Sequence, residues 1–600
     1  MDANSPSRRH VRFGAFDFDL ITGDLRKKGS RVRITAQPAQ VLRALIERCD
    51  DVVTRDDLRQ RLWGDQVFVD FEHGLNAAVR RLRRTLGDHA ETPRFIETVP
   101  KLGYRFLGPV FVQDGDGKGG ERPSGLMGNS HQLWPCGQAS SALSVAVLPF
   151  KTMGLGTENR WVALALTDAL ITRLGSLRRF AVRPTSAVAH CVDSASDLRA
   201  LSRTLGVEAL IDGHLQVCGT CVRATVQAVD GATGAITWAQ VFEDDIGQLF
   251  AFQESIARAI ADALIPTLDT EDRQRLAKRH TNNVGAYQLY VEGRHFWTCW
   301  TAEAMRHAVQ LFHHAIAKDP TFALAYAGLA DALCLLGYQG MAVPRDVWPE
   351  ARDAAIQALK LDDQIAEAHS ALGMVNFTYE WQWAEAERHF LRALELNPNS
   401  SAAHAQYGNY LYVAGRFDDG LRHIRRAEEL DPVAVIVKVM ACNARLFMRE
   451  FDEYLRSTRR LLAQCPGHPL VHAVVGLAYG CLERYDQGLE EFRAAVELTR
   501  EGGIVAQLGR AYALAGRYEE AEAVIDELVS RGEHEYIPWY GIALIYAALG
   551  CRERAFSCLE TAYESRDGWL VWANVDPHLD PLRTDPRMGD ILRRLGFPIR

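Results

Sequence analysis

The chain has no run of 18 or more apolar residues, so it lacks the continuous hydrocarbon length that a membrane-spanning helix needs. Its opening residues, MDANSPSRRH, lack the apolar core of a secretory signal. Twelve cysteines occur, scattered mostly as singles inside helix-like segments, such as Cys334, Cys442 and Cys558. That pattern excludes a secreted disulfide scaffold and fits reduced, buried thiols. A soluble, cytoplasmic protein with no membrane partner is therefore expected.

Catalytic and cofactor signatures are equally sparse. Cys218-Gly219-Thr220-Cys221 is a CxxC without the second pair that a zinc ribbon requires. It falls at a hairpin turn, whereas a redox CxxC opens a helix whose terminus lowers a thiol pKa. Gly154-Leu155-Gly156 follows a strand and precedes a helix, but the third glycine and the Lys-Ser/Thr of a phosphate loop are missing. His190-Cys191 has no positioned acid to complete a nucleophile–base pair. With no metal cluster, triad or paired-carboxylate motif, the sequence reads as a non-enzyme without cofactor or metal.

What is present is length and an uneven charge. The 600 residues exceed a single core and imply about three or four domains. The net charge is −8, but residues 1–112 carry 20 Lys and Arg against 15 Asp and Glu, while the remainder carries 48 against 61. A basic excess confined to the N-terminal part is the electrostatic footprint of a nucleic-acid module, and the acidic remainder is not expected to bind DNA by itself.

The stretch Phe71–Leu86, FEHGLNAAVRRLRRTL, predicts an amphipathic helix. At about 100° per residue, Leu75, Val79, Leu82 and Leu86 fall on one narrow face. His73, Asn76, Ala77, Arg80, Arg83 and Arg84 spread over the other side, flanked by Arg81. Ala77 and Ala78 are small enough for close approach to a groove. Arginine suits both the phosphate backbone and the O6/N7 edge of guanine. Around this helix, Val11–Leu20 and Leu25–Ile34 read as antiparallel strands, and Thr35 and Thr54 start two further helices. Gly64–Asp70 forms a loop, and Asp70 can cap the recognition helix. Phe95–Val99 and Gly103–Leu107 make a hairpin around Pro100-Lys101-Leu102.

Sheet, three helices and hairpin give a winged helix-turn-helix over residues 10–112. The pattern VRRLRRTLGD…PRFIETVPKLGYRF resembles the OmpR/PhoB-type DNA-binding domain, a family that carries phosphorelay signalling with it. The resemblance implies that the third helix enters the major groove of double-stranded DNA and that the wing meets the adjacent minor groove or backbone. It marks Arg80, Arg81 and Arg83 as contacting arginines, His73 as a helix-start contact and Thr98 as the wing threonine. Asn76, Arg84 and Lys101 complete the expected DNA-facing set. The resemblance also implies homodimers on direct-repeat half-sites and contact with RNA polymerase through Gly64–Asp70. Two departures stand out. Ala78 occupies a position where the family often has His. Pro100-Lys101 replaces the usual Arg-Gly, which leaves Lys101 for a phosphate and weakens base reading by the wing. The segment before the domain is too short for a phosphate-accepting receiver. Relatives of the CadC type place a membrane helix after the domain, and residues 113–141, rich in Gly and Ser, are too polar for one and read as a flexible linker.

Residues 142–270 show the order β-α-β-α-β-β-β-α of a compact α/β unit. SVAVLPF, LGVEALIDGHL and VQAVDGATGAITWAQVFEDDI resemble the TolB amino-terminal-like (FlgO-like) domain, which implies a fold but little chemistry. From 285 to 600 a period appears: Pro398, Pro432 and Pro466 are spaced by 34 residues. Small residues recur at Gly408, Gly476, Gly509 and Ala543 and at Ala386, Ala521 and Ala555. Tyr479, Tyr512 and Tyr546 follow the first set, and Phe312, Phe390 and Phe492 fill the second helices. This resembles tetratricopeptide (TPR) repeats, about eight helix pairs. An insertion is expected near Gln339–Trp348, Tyr454 replaces a small residue in the fifth pair, and a capping helix is expected in the tail. Small residues let antiparallel helices approach closely, and the array should curve around a concave groove for a peptide or partner protein.

The expected fold class is therefore multidomain: an α+β winged helix, a small α/β domain and an all-α TPR solenoid. The expected function is a sequence-specific DNA-binding transcriptional regulator whose α/β and TPR parts sense or recruit something. The alternative is a TPR interaction scaffold with weak or non-specific DNA tethering, which would discriminate sequences poorly and depend steeply on salt.

Overall fold

The computed structural model describes residues 142–152, 160–189, 197–265, 268–298, 301–532 and 535–597. In the N-terminal part it describes residues 10–13, 16–19, 22, 24–27, 30–32, 34–47, 52–55, 57–58, 61, 71–86, 88, 93, 95–99, 103–106 and 111–113. The chain divides into two compact units, 1–134 and 135–600.

In the first unit, the two expected opening strands are four short ones: β1 (His10–Phe13), β2 (Phe16–Asp19), β3 (Leu25–Lys27) and β4 (Ser30–Val32). They form an antiparallel sheet in the order β4-β3-β2-β1, extended past β1 by β8 (Phe111–Gln113). Helix α1 (Ala36–Glu47) buries Val41, Leu42, Leu45 and Ile46 beneath it. A strand not foreseen, β5 (Val52–Thr54), joins the wing hairpin of β6 (Ile96–Val99) and β7 (Gly103–Phe106) in the order β5-β7-β6. Three residues are too few to show an alternation pattern. Gly103 explains the close approach of β5, because a Cβ there would lie 2.1 Å from the Val53 carbonyl oxygen. Thr54 also caps, as expected, accepting from the Asp57 amide at 3.1 Å. The recognition helix α2 runs over Phe71–Leu86, as the periodicity predicts.

The second unit opens with a six-stranded mixed sheet. Strands β9 (Leu143–Val147), β10 (Lys151–Thr152), β11 (Phe180–Val182) and β12 (Ala209–Cys218) are parallel, and β13 (Cys221–Asp230) and β14 (Ile236–Asp245) complete an antiparallel meander. The sheet order is β11-β9-β12-β13-β14, with β10 beside β12. Helix α3 (Arg160–Gly175) and a helix over Leu249–Leu264 cover one face, and Leu198–Leu205 covers the other.

Eight helix pairs follow among the described residues, from Val284–Trp297 with Ala302–Lys318 to Trp539–Ala548 with Arg552–Ser565. Their close approach rests on glycine facing phenylalanine. A Cβ on Gly373 would meet the buried Phe390 ring at 2.6 Å, one on Gly476 the Phe492 ring at 2.9 Å, and one on Gly328 the Phe312 ring at 2.8 Å. Ala386, Ala521 and Ala555 are fully buried at the matching second-helix positions. Tyr479, Tyr512 and Tyr546 do more than fill gaps: Arg484, Arg517 and Arg554 lie over their rings at 4.9, 4.8 and 5.6 Å. Tyr454 in the fifth pair is wholly buried and donates its hydroxyl to Asn443 at 3.0 Å. The expected insertion is a short turn before the helix Pro344–Leu361, whose Trp348 packs under Gly337. The tail contains a helix, as expected, but not from its start. It makes two 3₁₀ turns, Leu570–Asn574 and Pro577–Leu582, before the helix Pro586–Arg594, because prolines 577 and 581 supply no N–H to an α-helical ladder.

The α/β part and the solenoid share one continuous buried cluster, from Val145 through Phe312 and Tyr412 to Phe597. Tyr287 donates to the Ala165 carbonyl at 3.2 Å, Asn399 to that of Phe180 at 2.9 Å and Ser186 to Asp431 at 3.3 Å. The tail reaches back to earlier repeats: Leu595 accepts from Trp383 at 2.7 Å, Tyr379 from Arg566 at 2.9 Å and Val413 from Asn574 at 2.8 Å. No helix among the described residues is long and apolar enough to cross a membrane.

Two consequences can be measured. Gly373→Ala should cost about 1–3 kcal/mol of stability, read as a lower Tm, because the Phe390 ring has nowhere to move; an unchanged Tm would contradict the packing. The second concerns His404 and His423, whose Nδ1 atoms lie 2.9 Å apart. His404 also contacts the Pro398 carbonyl through Nε2, so His404 Nδ1 accepts the proton of His423. Burial holds both rings down to about 4, with His423 next lowering His404, and Arg422 next lowering His423 against the pull of Asp419. A folded pKa below the unfolded 6.5 means stability is complete above pH 6.5 and is lost as pH falls toward 4. His423→Gln should make that acid-side fall in Tm shallower; an identical pH profile would count against it.

Candidate nucleic-acid interface

Helix α2 sorts its residues by angle. Leu75, Val79, Leu82 and Leu86 are 0–3% exposed and anchor it to the first unit's core. Asn76, Ala77, Arg80, Arg81 and Arg84 are exposed. The side chains of Arg80, Arg81 and Arg84 make no hydrogen bond or ion pair with any described residue. Three guanidinium groups thus stand exposed on one outer arc of the helix, uncompensated among the described residues.

The remaining sequence-selected residues are placed differently. Arg83 is half-buried and turned toward the wing. It donates to the Ile96 carbonyl at 2.7 Å and to Thr98 Oγ1 at 2.9 Å, and its Nε lies 3.9 Å from Asp88. Asp88, wholly withdrawn from solvent, accepts from the Phe95 and Ile96 amides at 3.3 and 3.0 Å. Arg83 is thereby a strut joining helix to wing, and Thr98, although exposed, is its partner. Ala78, expected at the groove side, is 3% exposed and packs inward. The wheel contains the reason. Relative to Leu75, Ala78 lies about 60° and Arg83 about 80° from the stripe's centre, whereas Arg80, Ala77 and Arg84 lie at about 140–200°. Asn76 accepts from the Tyr104 hydroxyl at 2.8 Å and from Arg55 at 3.5 Å, and Arg55 also lies over the Tyr104 ring. Asp88, Arg55 and Tyr104 were not singled out from sequence. Asp88 had a signal, since a lone acid directly after a basic helix invites a cationic partner. The side chain of His73, all of Lys101 and the Gly64–Asp70 loop lie outside the described residues, as do residues 114–141, Gly154–Gly156 and His190-Cys191.

Among the described residues no group of three or more His, Cys, Asp or Glu is arranged to hold a metal. Cys218 and Cys221 face each other across the β12–β13 turn, where Gly219 has φ +63°. Both are thiols, and Cys221 donates to Glu243 at 3.4 Å. That carboxylate pushes the Cys221 thiol up, away from the thiolate.

A core-anchored helix whose outer arc carries free arginines, braced against a two-stranded wing, is the DNA-binding part of a winged-helix regulator. The chain is similar to several known proteins. Residues 29–106 match the family described as "Transcriptional regulatory protein, C terminal", and residues 140–259 match "HilA/YgeH-like transcriptional regulator, second domain". "Transcriptional regulator HilA" of Salmonella typhimurium is 24% identical over 416 residues, 68% of each chain. "Putative adenylate cyclase 3" of Rhizobium meliloti is 28% identical over 242 residues, 40% of this chain and 41% of that one. The crystallised DNA-binding domain of Klebsiella pneumoniae RstA, in complex with the RstA box, is 28% identical; the match covers 16% of this chain and 95% of that one, with a TM-score of 0.15. The chain thus carries a transcriptional regulator's DNA-binding domain fused to an α/β domain and a TPR solenoid.

Removing the strut separates support from contact. Arg83→Ala removes the donor to the Ile96 carbonyl and to Thr98 and should lower the stability of the full-length protein's first unit by about 1–3 kcal/mol. Hydrogen exchange at residues 95–106 would then accelerate. Unchanged exchange there would remove Arg83 from the supporting role.

Proposed function

We propose that the protein is a cytoplasmic, sequence-specific transcriptional regulator that places α2 in the major groove of double-stranded DNA. The observation carrying this reading is the exposed outer arc of Arg80, Arg81 and Arg84, whose side chains have no partner among the described residues, on a helix whose opposite face is core. Arg80 stands nearest the middle of the helix and is the base reader in this reading. Arg81 and Arg84 meet phosphates on either side, and His73 and Lys101 add contacts at the helix start and wing tip. Asn76 and Thr98 border the interface while holding Tyr104 and Arg83 in place. Arg83 serves by orienting the helix. Dimers on direct repeats and contact with RNA polymerase through Gly64–Asp70 belong to the same reading. The residue sets fall into the domains 10–112, 142–270 and 285–600, joined by a linker over 113–141. The solenoid and α/β part receive the signal or partner, and the reading includes no catalytic step.

One observation favours the scaffold alternative: the solenoid and its α/β companion make up most of the chain and share a single core. Affinity measurements on full-length protein separate the two. Arg80→Ala should weaken binding to a preferred sequence by about 1–3 kcal/mol and leave binding to random DNA nearly unchanged. Lys101→Ala should weaken all sequences alike and reduce the slope of log K against log salt by about 1. Equal losses on preferred and random DNA for Arg80→Ala would favour the scaffold.

A further inference from the structure

The first helices of the repeat pairs form the inner wall of a cavity of about 1720 Å³, closed on one side by α3 and on another by the tail residues Trp569 and Trp572. This volume exceeds the roughly 300–1,000 Å³ of most small-molecule pockets. Its wall beside the α/β part is charged. Asp168 of α3, Arg294 of the helix Val284–Trp297, Asp331 of Ala323–Tyr338 and Glu367 of Ala366–Val375 all line it.

These charges are poorly satisfied. Arg294 Nε lies 3.9 Å from Asp168 Oδ1, beyond hydrogen-bond distance. The Asp168 side chain is 7% accessible and that of Arg294 25%. Arg294, Asp168 and Asp331 make no hydrogen bond to any described residue. Ions withdrawn from water ordinarily recover hydrogen bonds from the protein. Here the guanidinium has only Asp168 at 3.9 Å and the Trp297 ring at 5.6 Å beside it, and neither aspartate side chain receives a hydrogen bond from a described residue. Asp168, Glu367 and Asp331 all act on Arg294, three carboxyls to one guanidinium. Burial, against the pull of Arg294, raises the Asp331 carboxyl to about 6 and raises that of Asp168 as well. Leu324, Ala327, Ile365 and Met374 supply an apolar wall to the same cavity.

We propose that this corner of the cavity binds a free α-amino acid with an apolar side chain, its carboxylate on Arg294, its ammonium between Asp168 and Asp331, and its side chain against Leu324, Ala327 and Ile365. A zwitterion supplies an anionic acceptor and a cationic donor at once, which no singly charged ligand does. The inference gives the signal-receiving half of the proposed function a ligand class and rests on that half alone. The DNA-affinity measurements above test the other half independently.

The test is thermal unfolding of the full-length protein at pH 7.5 with L-leucine, L-phenylalanine, L-methionine and L-valine, each up to about 20 mM. Isoamylamine and 4-methylpentanoate, leucine without its carboxylate or without its amine, serve as matched probes. At least one amino acid should raise Tm by about 2 °C or more. The two leucine analogues should leave Tm unchanged. Asp331→Asn, isosteric and uncharged, should keep the ligand-free Tm or raise it while weakening the amino-acid response at least about tenfold. No shift with any of the four amino acids, an equal shift with either leucine analogue, or an undiminished response in Asp331→Asn would overturn the proposal.

Discussion

The packing of α3 against the first solenoid helix decides how the larger unit works. Tyr287 and Gln253 both donate to the Ala165 carbonyl, and around them Leu166, Leu170, Phe252 and Tyr290 are closed to solvent. Buried apolar side chains tied together by these hydrogen bonds give no reason for the α/β part and the repeats to move separately. The solenoid's inner surface accordingly lines a cavity with the α/β part on one side and the C-terminal turns on another.

The same logic explains the charge distribution on α2. A guanidinium serves either the fold or an external partner, since its donors are directional and finite. Arg83 is committed to Ile96, Thr98 and Asp88. That commitment fixes the angle between helix and wing, and so the direction in which Arg80, Arg81 and Arg84 point. Support and contact are divided among neighbours in one short run of basic residues.

Much of this was legible in the sequence. The heptad-like spacing of Leu75, Val79, Leu82 and Leu86 set the helix and its buried face, and the proline spacing with small residues set the solenoid and its pair count. What escaped were features that depend on long-range partners. β5 has only three residues and exists because Gly103 lets it approach. Arg83 and Ala78 sit on the flanks of the stripe, where the wheel turns them away from the outer arc and the wing supplies the partners of Arg83. The tail's return to Trp383 and Tyr379 spans nearly two hundred residues or more, and no local pattern encodes it. The Asp168–Arg294–Asp331 group was invisible for the same reason, because its members come from three helices that only the tertiary fold brings together.

The central claim, that this arrangement reads DNA sequence, is tested most directly by selecting random-sequence duplexes on the purified full-length protein at physiological salt and sequencing what is retained. The account predicts enrichment of one recurring motif, present as two copies in direct repeat. Retention of all sequences alike, with no motif emerging over successive rounds, would contradict it.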